Sequence, residues 1–432
     1  MEQAGSPERD LKRLVVPDIG RLLETGDPWE PYQLRDSHGA RVEPVATYFK
    51  DLLAAGSSAS TLRSYGMDLL RWWRFLWAVG GVEWDRAVRE DARDFMLWMQ
   101  LADKPKREHW RRRGKAQPDI PSPRSESRRL PPGAANPVTG KPSVGPKYAA
   151  STRAHCETVL RTFYAFHLDR NTGSLLVNPF PLDRSRRAAR AHAHHNPEHE
   201  HRLERTGRYR PKVPERIPRR IPDEQYTQVF AGLRSDRDRA LLAFWVASGA
   251  RAEELLTARQ SDAVVGQQTI GVTRKGTRSY QELPVSPDAF VWLRLYQEGA
   301  WRQGVPRGRN QPLWWTLRRP WRPLNYAAAR AMFNRTNETL GSNWTLHDLR
   351  HTASYRMAND PEMSLAYVQH ILAHRYLTTT QKYLTPSRDE VIAAGIAHHT
   401  RQEQRRNTPQ ASPSAPAYNQ SALDVLFGRR LG

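Results

Sequence analysis

The chain has 432 residues, with 67 Lys or Arg against 45 Asp or Glu, and its formal net charge is +22. Such a length predicts two domains with tails rather than one core. The positive excess favours a polyanionic partner. A membrane surface is the competing anion, but no apolar run approaches the ~20 residues that span a bilayer. The polar N-terminus is not typical of a signal peptide, so we expect a cytoplasmic protein that makes no membrane contact.

The first part of the chain predicts a helical domain over 42–183, behind a flexible N-terminal arm over 1–41 that is polar and rich in proline and charge. Helical periodicity begins near residue 42, resumes at 84–101 and returns at Ser151. The single cysteine, Cys156, excludes an internal disulfide framework, and its amphipathic surroundings predict a core thiol rather than a nucleophile. Within the first of these patterns, one helix face is apolar at Leu62, Tyr65, Leu69, Trp72 and Leu76.

Two basic stretches interrupt the helical patterns. Residues 104–147 carry many Lys and Arg among nine prolines, which predicts an insertion without a core of its own. Residues 184–220 are interpreted as a basic interdomain linker. Its five histidines raise the alternative of a metal site, but we expect a solvated linker, because no regular element would hold the rings in ligand geometry. The histidines are His192, His194, His195, His199 and His201.

A second domain is predicted over 221–397, followed by a C-terminal tail over 398–432 that is a candidate protomer–protomer contact. A buried helix over 240–247 precedes two short strands, 269–273 and 279–285, which predict a hairpin. Further helices are predicted at about 287–298, 326–339, 347–359 and 364–373. The predicted fold class is therefore mainly α with a small antiparallel β-sheet in the C-terminal domain.

Two clusters near the C-terminal end carry chemistry. His347 and Arg350 stand at i,i+3 spacing, which places both on one helix face, where one can dock a phosphate oxygen and the other exchange a proton. Tyr383 follows His374 by nine residues across a Thr-rich turn. A phenol is a poor nucleophile at its ordinary pKa near 10, and cations around the phosphate it attacks would help it to ionise. Taken singly, each signal is weak.

A third group lies earlier in the chain. Arg251 follows the glycine that ends the buried helix, and Glu254, three residues later, is placed to brace it; an ordinary surface pair is the alternative. Lys275 lies at the predicted hairpin tip, 24 positions after Arg251, as a flexible cation able to reach a leaving oxygen.

In this order the residues resemble the active site of the tyrosine recombinase (phage integrase) family, which reads Arg, Lys, His-x-x-Arg, His or Trp, and Tyr. The run 249–255 resembles the family's Gly-x-Arg-x-x-Glu-Leu, and 347–352 resembles its His-x-Leu-Arg-His-Thr, with His351 as a supporting residue. The run 372–383 resembles Leu-Gly-His followed by Thr-Thr-x-x-Tyr, with Ala373 where the family usually has glycine. Residues 58–76 and 151–180 more weakly resemble the family's helical core-binding (SAM-like) domain, so a two-domain DNA clamp is implied.

By that resemblance, Tyr383 attacks a scissile DNA phosphate and forms a 3′-phosphotyrosyl link. Arg251 and Arg350 would hold the non-bridging oxygens, and Lys275 would protonate the departing 5′ oxygen. His347 would take part in proton transfer at the tyrosine, and His374 would hydrogen-bond a phosphate oxygen. No metal, ATP or other cofactor is implied, because the covalent link conserves the phosphodiester energy.

The implied partners are double-stranded DNA recombination sites and further copies of the chain, as a tetramer on DNA; accessory directionality or bending proteins are left open. The basic stretches suit backbone contacts, which give salt-dependent affinity rather than sequence choice. A solvated loop is an equal alternative for the insertion. The candidate DNA-binding residues are Arg111, Arg112, Arg113, Arg219, Arg220, Thr61 and Arg63.

We expect the integrase of a mobile element rather than a chromosome-resolution enzyme, because the long basic insertion and the tail exceed a minimal recombinase. Two other functions compete with this one. A type IB topoisomerase shares the chemistry but relaxes supercoils without a partner site. A DNA-binding protein with a decayed site is the alternative from another class, but decay should have removed at least one of the six chemical groups, and all six are present. The sequence leaves open the target DNA and the choice among integration, excision and resolution.

Overall fold

The computed structural model describes residues 9–105, 131, 133–143, 145–187, 205–214, 219–384, 388–407 and 419–428. The chain divides into two compact units, one of residues 1–216 with 337–344 and the other of 217–336 with 345–432. Within the described ranges, no helix is both long and apolar enough to cross a membrane. Arg111, Arg112 and Arg113 and the five linker histidines lie outside the described residues.

In the residues that the structure describes, the first unit contains four α-helices and two pairs of strands. Ser58 begins the second helix as its N-cap, and the Asp91 carboxylate accepts the Val88 backbone N–H at the start of the third. The strands pair antiparallel in sequence order. The elements are β1 (Arg21–Glu24), β2 (Tyr32–Arg35), α1 (Glu43–Ala54), α2 (Ala59–Ala78), α3 (Arg89–Leu101), α4 (Ala150–Asp169), β3 (Leu182–Arg187) and β4 (Arg205–Gly207).

The predicted flexible arm is wrong for residues 21–35, because these form the β1–β2 hairpin. The hairpin packs on α2, where Gly66 admits Leu22 so closely that an added Cβ would lie 2.6 Å from its Cδ1. Arg74 holds the segment before β1 through the Ile19 and Gly20 carbonyls. Leu34 is 2% exposed. The strands are four residues each and show no clear alternation, so only their packing on α2 reveals them.

The core of the first unit is aromatic. Trp72 lies fully buried between Phe75, Phe95 and Phe180, and its indole N–H donates to the Tyr164 hydroxyl at 2.8 Å. Cys156 is also fully buried, and burial raises the pKa of its thiol well above the ordinary value. The prediction of a core thiol is therefore confirmed.

The two basic stretches contain more regular structure than predicted. Within the insertion, residues 134–143 form a tight turn closed by the Ala135–Pro142 bridge, and the Asn136 amide donates to the Gly341 carbonyl at 2.9 Å. Within the predicted linker, β3 pairs with β4, so residues 184–187 and 205–207 belong to a sheet of the first unit. Neither feature has an apolar pattern in the sequence, because its order comes from backbone pairing and polar contacts.

The second unit holds a three-stranded antiparallel sheet among helices. The strand order is β5-β6-β7, and the β6–β7 hairpin pairs Thr269 with Pro284 and Thr273 with Tyr280, as predicted. The elements are α5 (Asp223–Ala231), α6 (Asp236–Ser248), α7 (Ala252–Leu256), β5 (Ala263–Val264), β6 (Thr269–Thr273), β7 (Tyr280–Pro284), α8 (Pro287–Arg302), α9 (Tyr326–Leu340), α10 (Leu346–Ala358), α11 (Leu365–Leu372), α12 (Leu377–Gln381), α13 (Arg388–Asn407) and α14 (Gln420–Leu426).

Helix α6 is the centre of this unit. It packs against α8, α10 and β7, and Leu241, Phe244 and Trp245 are fully buried. The helix is apolar on several sides, as expected of a central helix. The predicted fold class, mainly α with small antiparallel sheets, is confirmed. Since α6 ends beside α10, its C-terminal turn brings distant parts of the chain together.

Candidate active site

The turn that ends α6 requires glycine. Gly249 has φ 62°, and a Cβ there would lie 2.9 Å from Leu372 Cδ2. The turn delivers Arg251 to the N-cap position of α7, with its side chain about one-third exposed. The Gly249 carbonyl accepts a hydrogen bond of 2.6 Å from Arg350, so the same turn locates both predicted phosphate-binding arginines.

Glu254 is the hub of the first half of the site. Its buried carboxylate accepts the Arg251 backbone N–H at 3.0 Å and the Arg251 guanidinium at 2.9 Å. It also accepts the Arg274 guanidinium at 2.9 Å and the Lys275 backbone N–H at 3.1 Å. Burial raises the pKa of Glu254, but the hydrogen bonds from Arg251 and Lys275 and the charge of Arg274 outweigh it, so the net pKa is lowered. Glu254 is therefore an ionised brace.

Lys275 stands at the tip of the β6–β7 hairpin beside Gly276, whose φ is 104°. Its side chain is 53% exposed, and its Nζ donates to Glu253 at 2.9 Å. An exposed pair of this kind contributes little stability, because solvent screens it. The amine is therefore held near the site by its backbone anchor on Glu254 and is free to swing.

Arg350 is buried on α10 and anchors the second half of the site. Its guanidinium donates to the Gly249 and Leu372 carbonyls, at 2.6 Å each, and lies 3.3 Å from His374 Nε2. Burial, followed by the charge of Arg251, lowers the pKa of Arg350 to about 10. The group still carries its charge at neutral pH, so a buried cation lies beside the turn that ends α11.

The contacts of His374 fix its tautomer. An arginine only donates, so His374 Nε2 must accept from Arg350, and its Nδ1–H donates to the Thr380 hydroxyl at 3.0 Å. Burial and the neighbouring charges of Arg350 and Arg251 lower the pKa of His374 to about 4. The imidazole is therefore neutral at pH 7.

We expect this neutral imidazole to make stability depend on pH. The unfolded chain takes up a proton at His374 between about pH 6.5 and 4, whereas the folded chain takes it up only near the lower value, so stability falls as pH falls through this window. The loss is on the order of 1 kcal/mol after a discount for solvent screening. Urea unfolding at pH 7.5 and 5 should show a smaller decline for His374→Gln than for the wild type. The exposed His398→Gln should retain the wild-type decline; an equal decline in all three contradicts the prediction.

Tyr383 lies against two imidazoles of the site, those of His351 and His374. Its hydroxyl shares a hydrogen bond of 2.9 Å with His351 Nδ1, and its ring stacks on His374 with centroids 6.1 Å apart. The imidazole that is hydrogen-bonded to the phenol is therefore that of His351, and the His347 ring lies 4.2 Å from the His351 ring. Tyr383 is 6% exposed, and burial raises its pKa against the lowering effects of Ser354 and Arg350. The phenol is therefore protonated at neutral pH.

Ala373 adopts the left-handed conformation, with φ 47°, at the C-cap of α11. A residue with a Cβ is strained there by roughly 1–2 kcal/mol. We expect Ala373→Gly to raise the free energy of unfolding by about 0.5–1 kcal/mol and the melting temperature by about 2 °C, after the greater entropy of unfolded glycine is subtracted. The same change at Ala331, exposed within α9, should lower the free energy by about 1 kcal/mol. Calorimetry on both variants tests the opposite signs.

The structure brings together all six predicted catalytic groups and both supporting residues within the second unit. Arg219 and Arg220 are exposed in that unit, and the Arg220 guanidinium lies 3.9 Å from the Tyr355 ring centroid. Thr61 and Arg63 lie elsewhere, at the N-terminal end of α2 in the first unit. Arg274 was not among the predicted site residues, and its signal in the sequence was only its position next to Lys275.

The comparisons with known protein families agree with this fold. The phage integrase family matches residues 219–390, and the phage integrase N-terminal SAM-like domain matches residues 45–113. The two matches together cover more than half of the chain. A two-unit, mainly helical fold with this cluster of Arg, Lys, His and Tyr defines a phage-integrase-type protein. The chain belongs to the tyrosine recombinase (phage integrase) family.

Individual relatives are distant. Tyrosine recombinase XerC of Bacillus licheniformis is 27% identical over 198 residues, which cover 44% of this chain and 64% of the relative. Tyrosine recombinase XerD of Proteus mirabilis is 29% identical over 205 residues, which cover 44% of this chain and 62% of the relative. The chain thus spans less than two thirds of either relative. The Tn1549 transposon integrase, solved in complex with a circular intermediate DNA, shares the fold with a TM-score of 0.52 and 14% identity, over 82% of this chain and 99% of that chain.

Proposed function

We propose that this protein is a site-specific DNA recombinase that cleaves and rejoins strands through a 3′-phosphotyrosyl intermediate, with Tyr383 as its nucleophile. The observation that carries the proposal is a continuous series of contacts. Tyr383 stacks on His374, His374 accepts from Arg350, and Arg350 donates to the turn that presents Arg251. A phenol is thereby placed among fixed cations, as attack on a phosphodiester requires.

Arg251 and Arg350 are assigned to the non-bridging oxygens of the scissile phosphate. Arg251 is about one-third exposed and can be reached by DNA, whereas the Arg350 guanidinium is already oriented by two carbonyls. Donors that are oriented before the reaction stabilise developing charge without reorganisation. In this assignment a phosphate oxygen replaces His374 Nε2 as a partner of Arg350, and the added negative charge raises the pKa of His374 so that its ring can donate.

The proton balance of cleavage then follows from the remaining groups. The Tyr383 oxygen forms a bond to phosphorus as its proton passes to His351, with which it already shares a hydrogen bond. The His347 ring, 4.2 Å from that of His351, is placed to share the proton. The bond from phosphorus to the 5′ oxygen breaks, and Lys275 supplies a proton to that oxygen. Attack by another 5′-hydroxyl reverses these steps and completes strand exchange, and neither step consumes a metal or ATP.

The biological role that we propose is integration or excision of a mobile element by a tetramer on DNA. The basic insertion over 104–147 and the tail over 398–432 are additions to a minimal recombinase, which favours this role over chromosome resolution. Double-stranded recombination sites are the substrate, and the protein acts in the cytoplasm at the nucleoid. The surplus of 22 positive charges supports DNA as the partner.

The test is covalent trapping with nicked suicide duplexes of randomised sequence, since the target site is unknown. The nick releases a short strand after cleavage, so an adduct accumulates and is isolated by denaturing electrophoresis. We expect adducts enriched in one sequence and linked through the peptide that contains Tyr383. Adducts without sequence preference, together with rapid plasmid relaxation, would favour a type IB topoisomerase. DNA binding without any adduct would favour a decayed, purely DNA-binding protein.

A further inference from the structure

Arg274 is a buried cation at the centre of the site, next to Lys275 in the chain. It is 2% exposed, so its guanidinium cannot meet DNA directly. Its three donor groups all have partners: Nε donates to Gln281 at 2.8 Å, one amino group donates to Glu254 at 2.9 Å, and the other donates to the Ile371 carbonyl. This guanidinium therefore joins β7, α7 and the end of α11.

The contact with Glu254 balances charge. That carboxylate is bonded to the guanidiniums of both Arg251 and Arg274. One negative charge between two positive charges leaves a net positive charge, and only Arg251 is exposed enough to present it to a ligand. If Arg274 were neutral, the pair of Arg251 and Glu254 would have no net charge, and its attraction for a phosphate would be weaker.

The contact with Ile371 fixes the turn that carries His374. The last carbonyls of a helix lack partners within the helix. Here Arg274 donates to that of Ile371, and the Gln281 amide donates at 3.0 Å to that of His370, which also accepts the Ala373 backbone N–H. Both donors come from the turn end of the β6–β7 hairpin, beside Lys275. Two potential contributors to phosphate chemistry, Lys275 and His374, are thereby held by one rigid element.

We propose that Arg274 is a positioning residue of this site, which neutralises Glu254 so that Arg251 keeps its charge for a phosphate, and which holds the Lys275 hairpin against the His374 turn. The inference rests on the proposed function, because the phosphate it serves is the scissile one. Its alternative is a buried ion pair that contributes to stability alone.

The experiment compares Arg274→Met with the double variant Arg274→Met/Glu254→Gln. Methionine keeps the volume without the charge, and glutamine then removes the unbalanced negative charge. We expect the single-turnover rate of adduct formation at saturating DNA to fall about 100-fold in Arg274→Met, as for a small misplacement of reacting groups, while the Kd for DNA changes less than about 3-fold. The double variant should recover about 10-fold of the rate, which a purely structural role does not predict.

Arg237→Met is the matched control. Arg237 is also a buried arginine paired with a carboxylate, Asp238, and it lies at the opposite end of α6 from the site. We expect a comparable loss of stability and an unchanged rate per folded molecule. If Arg274→Met fails to fold, Arg274→Lys is measured in its place. One amine cannot donate to three acceptors at once, so the rate of adduct formation by Arg274→Lys should fall about 10-fold.

The outcomes separate the inference from the proposed function. If the wild type and Arg274→Met form adducts equally fast, the inference is overturned and the function stands. The same holds if the double variant forms adducts more slowly than Arg274→Met does. If the wild type forms no adduct, the function fails, and inorganic phosphate becomes the probe. Phosphate should then raise the melting temperature of the wild type and of the double variant more than that of Arg274→Met. Equal rises in all three would overturn the inference.

Discussion

Tyr383→Phe is expected to abolish covalent adduct formation on a suicide duplex while leaving DNA binding within about 3-fold of wild type. The change deletes one oxygen, which is the proposed nucleophile, and phenylalanine cannot form the bond to phosphorus. Because the Tyr383 ring packs with Ala358, Val368 and Leu372, the ring that remains should keep its place. The lost hydrogen bond to His351 should cost about 1 kcal/mol of stability. Denaturing electrophoresis measures the adduct, and a mobility-shift titration measures binding.

Tyr376→Phe is the control for this experiment. Tyr376 lies seven positions earlier, is 42% exposed, and offers the other phenol in the same segment. Loss of the Tyr376 hydroxyl should leave the amount of covalent adduct unchanged. An undiminished adduct in Tyr383→Phe would refute the assignment of the nucleophile, and its loss in Tyr376→Phe instead would transfer the role to that residue.

Arg350→Lys is expected to slow adduct formation by about 10³-fold. Lysine keeps the charge but cannot reproduce the planar fork that bonds the Gly249 and Leu372 carbonyls and reaches His374. Loss of one oriented donor to a developing charge typically costs 10²–10³ in rate, and the displaced turn adds to this. A buried carbonyl left without its donor should also lower stability by about 1–3 kcal/mol. Single-turnover kinetics and urea unfolding measure the two effects separately.

Arg356→Lys provides the comparison on the same helix. Arg356 is exposed, pairs with Asp223 and lies over the Tyr226 ring. We expect less than a 3-fold change in rate and a stability within about 1 kcal/mol of wild type, as for exposed ion pairs. Similar rate losses in both variants would show that α10 tolerates no substitution. They would contradict the assignment of Arg350 to the scissile phosphate.

Much of the fold was accessible from the sequence. The helices around α2, α6 and α10 and the β6–β7 hairpin follow from apolar spacing and turn residues, and they lie close to where that spacing places them. The β1–β2 hairpin was missed, because strands of four residues carry too short a pattern and are held by packing on Gly66 of α2. The β3–β4 pair was missed because its residues read as a charged linker.

The chemical groups of the site and their order, from Arg251 to Tyr383, can be read directly from the chain. Local spacing also predicts which side chains share a turn or a helix face. The contacts of each group are known only from the folded protein. It placed His351 rather than His347 on the phenol, made His374 neutral beside Arg350, and buried Arg274 between Glu254 and the end of α11. These contacts join positions tens of residues apart, and burial shifts their charges, so packing alone sets them.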